Sequence, residues 1–198
     1  MNYRQAESTD AADVAELATS AGGGLFEYCL GGASSAETAQ GVALLISALE
    51  DGFSMSNAIV VTEEGEGGKE QVAAAMIAYP ASEFAGAETF TSFIQPELLE
   101  PFEGLLEPLD PNSYYIHSLA VRPAFADRGI NASLIDLAEE TARVLGLSEV
   151  CVHIWADNHE AIAIYNRHGF ITRRVVPTEV GEQIDHVGGM LLASKTLD

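Results

Sequence analysis

Cations are scarce in this sequence. Its 198 residues hold nine Lys and Arg against 30 Asp and Glu, a formal net charge of −21. So acidic a chain repels phosphate backbones and anionic headgroups, which argues against nucleic acid and against a membrane surface as partners. The shortage is uneven. Residues 1–121 contain only Arg4 and Lys69 against 19 acidic residues, whereas 122–198 contain seven basic residues against 11. The few cations therefore gather after Val121, and the acidic remainder reads as a solvated surface that favours solubility.

Cysteine is nearly absent too. Cys29 and Cys151 are the only two. Two thiols in a chain of this length make no disulfide framework, so a reducing, cytoplasmic setting is expected. Long hydrophobic runs are missing: "VALLISAL" at 42–49 falls far short of the ~20 residues that span a bilayer. The start, "MNYRQAESTDAADVAEL", lacks the basic and apolar regions of a secretory leader. His153, His159, His168 and His186 show no metal-ligand spacing with Cys or with paired carboxylates, so no metal is expected. Neither G-x-x-x-x-G-K-[ST] nor an early G-x-G-x-x-G occurs, which removes the common nucleotide-binding loops.

What is present is an ordinary complement of apolar residues, 47% of the chain, enough for a buried core. The length fits one domain, 1–198, with an inserted cover segment at about 80–113. "MNYRQA" alternates like a strand. "STDAADVAELATSAG" reads as a helix capped by Ser8 or Thr9, with Val14, Leu17 and Ala18 at helical spacing and Gly22–Gly24 as its stop. "SSAETAQGVALLISALEDG" reads as a second helix, capped by Ser34 or Ser35 and ended by Gly52. Between them, "GGGLFEYCLGG" is expected to expose Phe26 and Tyr28. Runs 57–62 and 71–79 flank a Glu- and Gly-rich turn and predict a hairpin. The stretch from Pro80 to Pro111 holds five of the seven prolines and predicts broken helical pieces over one face.

After it come a strand, "YYIHSLAV" (114–121), a loop, and an amphipathic helix over 130–145. Leu134, Leu137, Thr141 and Val144 trace one face of that helix at 3.6 spacing, with Ala138 and Leu145 beside it. "SEVCVHIW" is a further strand, "NHEAIAIYNRHG" a short helix, and "FITRRVVP" and "VGGMLLASK" two closing strands. The order, β-α-α-β-β-(insert)-β-α-β-α-β-β, is mixed α/β.

The loop "VRPAFADRGINAS" (121–133) joins a strand directly to a helix. The first amides of such a helix carry partial positive charge and no intrahelical partner, and an anion satisfies them. Gly129, Ala132 and Ser133 leave room for one, and Arg128 adds a cation. Taken alone, the loop also reads as a plain structural corner. Downstream, "NHEAIAIYNRHGF" aligns Asn158, Ala161 and Tyr165 on one helix face before Gly169-Phe170. With that pairing the sequence resembles the GNAT acyltransferases, which use acetyl-CoA. Their central motif is a strand ending in hydrophobic-x-V-x-P followed by R/Q-x-x-G-x-G/A; their next is N-x-x-A-x-x-x-Y-x-x-x-G-F. The second is complete here. In the first, Ala126 replaces Arg or Gln, and Asn131 replaces Gly or Ala.

The resemblance implies a mostly antiparallel sheet of six to seven strands, splayed at its centre and flanked by helices. It implies an N-acetyltransferase with acetyl-CoA as cosubstrate and no metal. Acetyl-CoA would lie in the splay between "YYIHSLAV" and "SEVCVHIW". Backbone groups of Leu119, Ala120 and Val121 would pair with the pantetheine arm. The cradle of Asp127, Arg128, Gly129, Ile130, Asn131, Ala132 and Ser133 would hold the pyrophosphate, and Asn158 would touch the arm. Tyr165 would protonate the leaving thiolate while a primary amine attacks the thioester directly. His117, in mid-strand, is the candidate general base; a buried, hydrogen-bonded histidine is its other reading, as a core aromatic is for Tyr165. Alternation sets Tyr115 and His117 on one strand face and Tyr114, Ile116 and Ser118 on the other. Phe26, Tyr28 and the 93–106 segment are candidates to line the acceptor pocket or simply to pack as cover, and the acidic first two-thirds favours a cationic acceptor. Cys29 reads as a buried residue rather than a nucleophile. The alternative function is a GNAT-like CoA-binding module with little or no turnover, which the departures at Ala126 and Asn131 motivate. A homodimer is a family-level expectation.

Overall fold

Alternating and continuous apolar runs build a seven-stranded sheet. A computed structural model describes residues 1–32, 34–84, 93–178 and 184–198. The strands are β1 (Asn2–Gln5), β2 (Ala58–Glu64), β3 (Glu70–Pro80), β4 (Ser113–Val121), β5 (Glu149–Trp155), β6 (Ile171–Val176) and β7 (Met190–Thr196). Their spatial order is β1-β2-β3-β4-β5-β7-β6. Neighbours run antiparallel except β4 and β5. That pair is joined through a crossover helix, the connection a parallel pair needs.

The helices are α1 (Ala11–Gly22), α2 (Leu25–Cys29), α3 (Ser35–Ala48), α4 (Pro96–Leu99), α5 (Ile130–Val144) and α6 (His159–Arg167). α1 and α3 cover one face of the sheet: Val14, Leu17, Ala18, Val42 and Ile46 pack on Val60, Ala75 and Ile77. α5 and α6 cover the other, where Leu134, Ile135, Ala138 and Tyr165 pack on Met76, Ile116 and Val152. β3 is buried from Val72 to Tyr79, as a central strand covered on both faces must be. A third apolar cluster, with Cys29, Leu99, Phe102, Trp155 and Met190, joins α2 and the cover segment to the ends of β5 and β7. No helix among the described residues is long and apolar enough to cross a membrane.

The expected elements are found in the expected order, with corrections at four points. Neither Ser8 nor Thr9 caps α1. Residues Ser8–Asp10 form a 3₁₀ turn capped by Glu7, whose amide donates to Asp10 Oδ2 at 2.7 Å. Arg4, six residues earlier, holds Asp10 in that pose at 2.6 Å, so an ion pair rather than a hydroxyl fixes this turn. Ser34 does cap α3, in a capping box with Glu37, but the helix stops at Ala48, well before Gly52. Phe26 is buried rather than exposed, because α2 folds it onto Phe53 with ring centroids 5.7 Å apart. On α5 the buried stripe is Ile130, Leu134, Ile135, Ala138 and Ala142. Val144 is 81% exposed and Leu145 52% exposed. Both stripes have helical period; the angle at which α5 lies on the sheet selects the first.

Among its described residues the cover segment holds short pieces: 3₁₀ turns at Ala81–Glu83 and Glu100–Leu105 with α4 between them. Residues 85–92 of that expected segment lie outside the described residues.

The stripe on α5 has a direct test. Leu134 has no exposed surface, so Leu134→Ala is expected to cost about 2–5 kcal/mol in denaturant unfolding. Val144→Ala is expected to stay within about 0.5 kcal/mol. Equal losses would contradict this packing.

Candidate active site

The site begins where β4 and β5 part. Their parallel pairing runs from Ser113↔Glu149 to Ile116↔Val152 and then ends. β4 continues for five residues and β5 for three, so a wedge opens between them. The other edge of β4 stays paired, with Leu119, Ala120 and Val121 opposite Met76, Ala75 and Ala74 of β3. The edge that β5 leaves is thus a row of backbone groups without a strand partner.

A bulge sits at the start of the wedge. β3 pairs Ala78 with Ile116 and Ile77 with Ser118, which leaves His117 unmatched. An extra residue bends a strand, raises its twist and re-aims side chains. Here it shifts the alternation by one. Tyr114, Ile116, Leu119 and Val121 face the α5–α6 side, while Tyr115 and Ala120 face α1 and α3. Ser118 lines the same cavity as His117, not the face shared by Tyr114 and Ile116. No glycine or other local cue in "YYIHSLAV" marks the bulge.

That cavity measures about 120 Å³. Tyr115, His117, Ser118 and His153 form its polar end, at the parting of the strands. Phe26, Cys29, Ile94, Leu99, Phe102 and Met190 are among the apolar residues around the rest. Of the expected lining, Phe26 and residues from the 93–106 segment take part. Tyr28 instead packs edge-on to Phe102, with centroids 5.5 Å apart. None of the described lining residues is Asp, Glu, Lys or Arg.

Burial governs protonation here. His117 lies against Phe53, with ring centroids 4.3 Å apart, and near Phe26, Tyr79 and Tyr115. Desolvation, with a smaller contribution from His153, lowers its pKa to about 3. Its Nδ1 is enclosed, with no partner among the described residues. His153 is lowered to about 4, by desolvation and then by Arg174. Its Nδ1 meets the Tyr115 hydroxyl at 3.1 Å, while its Nε2 is buried and unpartnered. Both imidazoles are neutral at pH 7. The His117 side chain is half-buried with its Nδ1 enclosed, and among the described residues that nitrogen lacks the hydrogen bond expected of a structural histidine.

Tyr165 is 8% exposed and packs edge-on to Phe170 at 5.1 Å. Burial raises its pKa above the ordinary phenol value. The Tyr115 phenol is raised as well, by burial and then by the Cys151 thiol and Tyr165. The two phenols are therefore electrostatic neighbours, and both stay protonated near neutral pH. Asn158 caps α6: its Oδ1 accepts from the Ala161 amide at 3.0 Å. The asparagine of the motif thus has a local duty besides any contact with a ligand.

The loop after β4 ends at Gly129, with φ +72° and open space where a Cβ would project. Gly129 occupies the N-cap of α5, and no side chain caps that helix. Ile130, Asn131 and Ala132 follow as its first turn. The Ser133 amide already donates to the Gly129 carbonyl at 3.2 Å, and Ile130 directs its side chain into the core. Arg128 is engaged elsewhere, with Nη1 2.8 and 2.6 Å from the two Glu63 carboxylate oxygens and its guanidinium 4.8 Å from the Phe125 ring centre. Arg122 is held by Asp13 at 2.6 Å and Glu16 at 2.7 Å. The cations that gather at this loop are thus already paired.

Sequence reasoning passed over several residues. His153, which carries no metal spacing in the sequence, shares the cavity's polar end. His186 stacks on Trp155 at 4.4 Å and bonds Asp157 at 2.7 Å, while Trp155 Nε1 donates to the Gly22 carbonyl at 2.9 Å. This cluster ties the end of β5 to the end of α1. Asp136, Glu139 and His168 bring ligand atoms within 4.8 Å of one another, but Lys195 at 2.5 Å and Arg143 at 3.4 Å already neutralise Glu139. Cys29 and Cys151 are free and buried, and burial pushes both thiols up to about 12, which leaves neither primed as a nucleophile.

The fold is shared with known proteins. An N-acetyltransferase from Staphylococcus aureus Mu50 is similar, at 18% identity, with a TM-score of 0.68 and 100% of both chains covered. A Salmonella typhimurium protein, yncA, solved with its cofactor acetyl-CoA, is similar at 16% identity and a TM-score of 0.58, over 100% of this chain and 94% of that one. The Mycobacterium tuberculosis protein Rv2747, solved in complex with CoA and NLQ, is similar at 16% identity and a TM-score of 0.56, over 100% of both. No curated protein matches the chain. The family model described as "Acetyltransferase (GNAT) family" matches residues 58–170. That stretch is more than half the chain and runs from β2 through the β4–β5 wedge to Phe170, and the protein accordingly belongs to the GNAT family of acetyltransferases.

Proposed function

We propose that this acyltransferase moves an acetyl group from acetyl-CoA to a primary amine by direct attack. The observation that carries the reading is the bare edge of β4 beyond Ile116, which leads into the uncapped first turn of α5. Leu119, Ala120 and Val121 offer peptide groups to the pantetheine amides as an added strand would. Gly129, Ile130, Asn131 and Ala132 offer N–H groups to the pyrophosphate, where a Cβ-free Gly129 lets it approach. Asp127 and Arg128 border this cradle, Ser133 closes it, and Asn158 flanks the arm from α6.

The chemistry then follows from protonation states. The amine nitrogen attacks the thioester carbonyl carbon, the C–N bond forms and the C–S bond breaks. The amine loses one proton and the sulfur gains one. Tyr165, held protonated by burial, donates to the developing thiolate. Neutral His117 accepts a hydrogen bond from the attacking amine; its lowered pKa makes it a relay for the amine's proton rather than a place to keep it. No covalent enzyme intermediate is required.

A weaker grip on CoA than in a chain with a free cation is part of this reading. Arg128 is spent on Glu63, Ala126 has no polar side chain to add, and the Asn131 side chain narrows the approach. Calorimetry with acetyl-CoA tests the whole scheme: saturable binding is expected, and none at millimolar ligand would refute it. In the same assay Glu63→Gln is expected to tighten binding by up to about tenfold, because it frees one cation for a charge-assisted contact.

Two kinetic outcomes are expected. Tyr165→Phe should lower kcat by about 100-fold or more while the acetyl-CoA Kd stays unchanged, the usual scale for a lost general acid; turnover equal to the parent would remove Tyr165 from the step. The pH profile of kcat/KM should follow the acceptor. His117 and His153 are lowered to about 3 and about 4, so neither titrates between about pH 6 and 9. The rate should instead rise about tenfold per pH unit as the amine deprotonates, up to the amine's own pKa near ~10. A limb with its midpoint near ~6.5 would mean that an ordinary histidine is the base.

A further inference from the structure

We propose that the acceptor is a small primary amine carried on an apolar body of about one ring, and that the cavity beside the β4–β5 wedge selects it over polyamines and peptide amines. This rests on acetyl transfer at that wedge being the reaction.

The cavity wall argues for the apolar body. Around Leu99, Phe102, Cys29 and Met190 the wall offers side-chain carbon and sulfur, which gain from covering an apolar group and give nothing to a polar one. Among the described lining residues no carboxylate is available to pair with a second ammonium. A polyamine or a lysine-rich segment would leave such a charge buried and unpaired. The net charge of −21 draws cations towards the protein in general, but the described part of the wall they would meet here is uncharged.

The volume argues for one ring. About 120 Å³ is close to the ~150 Å³ of an apolar cavity known to admit benzene. A phenyl group or a short branched alkyl chain fills such a space.

The polarity gradient argues for the orientation. Tyr115, His117, Ser118 and His153 belong to β4 and β5 where the strands part, whereas Cys29, Leu99 and Phe102 come from α2 and the cover segment. His117 and His153 each carry a buried ring nitrogen with no partner, and a buried polar atom is costly until it finds one. An amine at this end can meet the two open ring nitrogens, as donor or acceptor according to each ring's tautomer, and its nitrogen then lies at the mouth of the wedge.

The test compares 2-phenylethylamine, spermidine and an alanine-led tripeptide, by thiol release with acetyl-CoA and by saturation-transfer NMR with CoA bound. The kcat/KM for 2-phenylethylamine is expected to exceed those of the other two by at least about tenfold. Leu99→Trp, which fills the apolar end, should abolish that preference while the acetyl-CoA Kd is retained. Phe102→Ala, which enlarges it, should extend use to a naphthyl amine. Spermidine or the tripeptide turned over equally well or better would overturn the inference and leave acetyl transfer standing. If acetyl-CoA binds and no amine releases thiol, the acetyl-transfer reading fails, and the NMR arm decides the cavity alone. Saturation transfer to 2-phenylethylamine but not to spermidine would support it; transfer to neither, or equally to both, would overturn it.

Discussion

The structure depends on the early end of pairing between two parallel strands, five residues before β4 stops and three before β5 does. β4 and β5 pair only from Ser113↔Glu149 to Ile116↔Val152, and the next residue, His117, bulges out of its pairing with β3. Strand separation usually leaves costly unpaired peptide groups. Here the bared edge is the feature that a substrate with amides of its own can complete. The same bulge turns His117 and Ser118 towards one cavity, while Leu119 and Val121 return to the opposite core. The edge, the cavity and the approach to α5 are three consequences of one backbone event.

Around that event the protein separates charge from chemistry. Its acidic residues lie mostly outside, and the few arginines near the wedge are paired with them: Arg122 with Asp13 and Glu16, and Arg128 with Glu63. Inside, Phe26, Phe53 and Tyr79 surround His117, and desolvation keeps imidazoles neutral and phenols protonated. A neutral acceptor of hydrogen bonds and a protonated donor are what amine attack and thiolate departure require. One cause, exclusion of water by aromatic and aliphatic side chains, produces both.

Much of the fold was legible because it rests on local rules. The β2–β3 hairpin, the Ser34 capping box and the Gly23 stop of α1 each lie within a few residues of the chain, and each is found. The spacing of Asn158, Ala161, Tyr165 and Gly169-Phe170 marked α6 and its turn for the same reason. Where long-range partners compete with a local rule, the reading was wrong. Phe53, distant in sequence, draws Phe26 into the interior. The sheet selects one of two apolar stripes on α5, leaving Val144 outside.

The sequence by itself determined the order of elements, the strand–loop–helix unit at Val121–Ser133, and the family through its Asn–Ala–Tyr–Gly-Phe spacing. These are short-range patterns, fixed by propensity, periodicity and turn chemistry. Only the tertiary structure decided that His117 sits on a bulge, that Ser118 joins it, that His153 shares the same pocket, and that Arg128 is already bound to Glu63. Each of these depends on register or contact between segments 35 to 65 residues apart in the chain, and no local pattern carries that information.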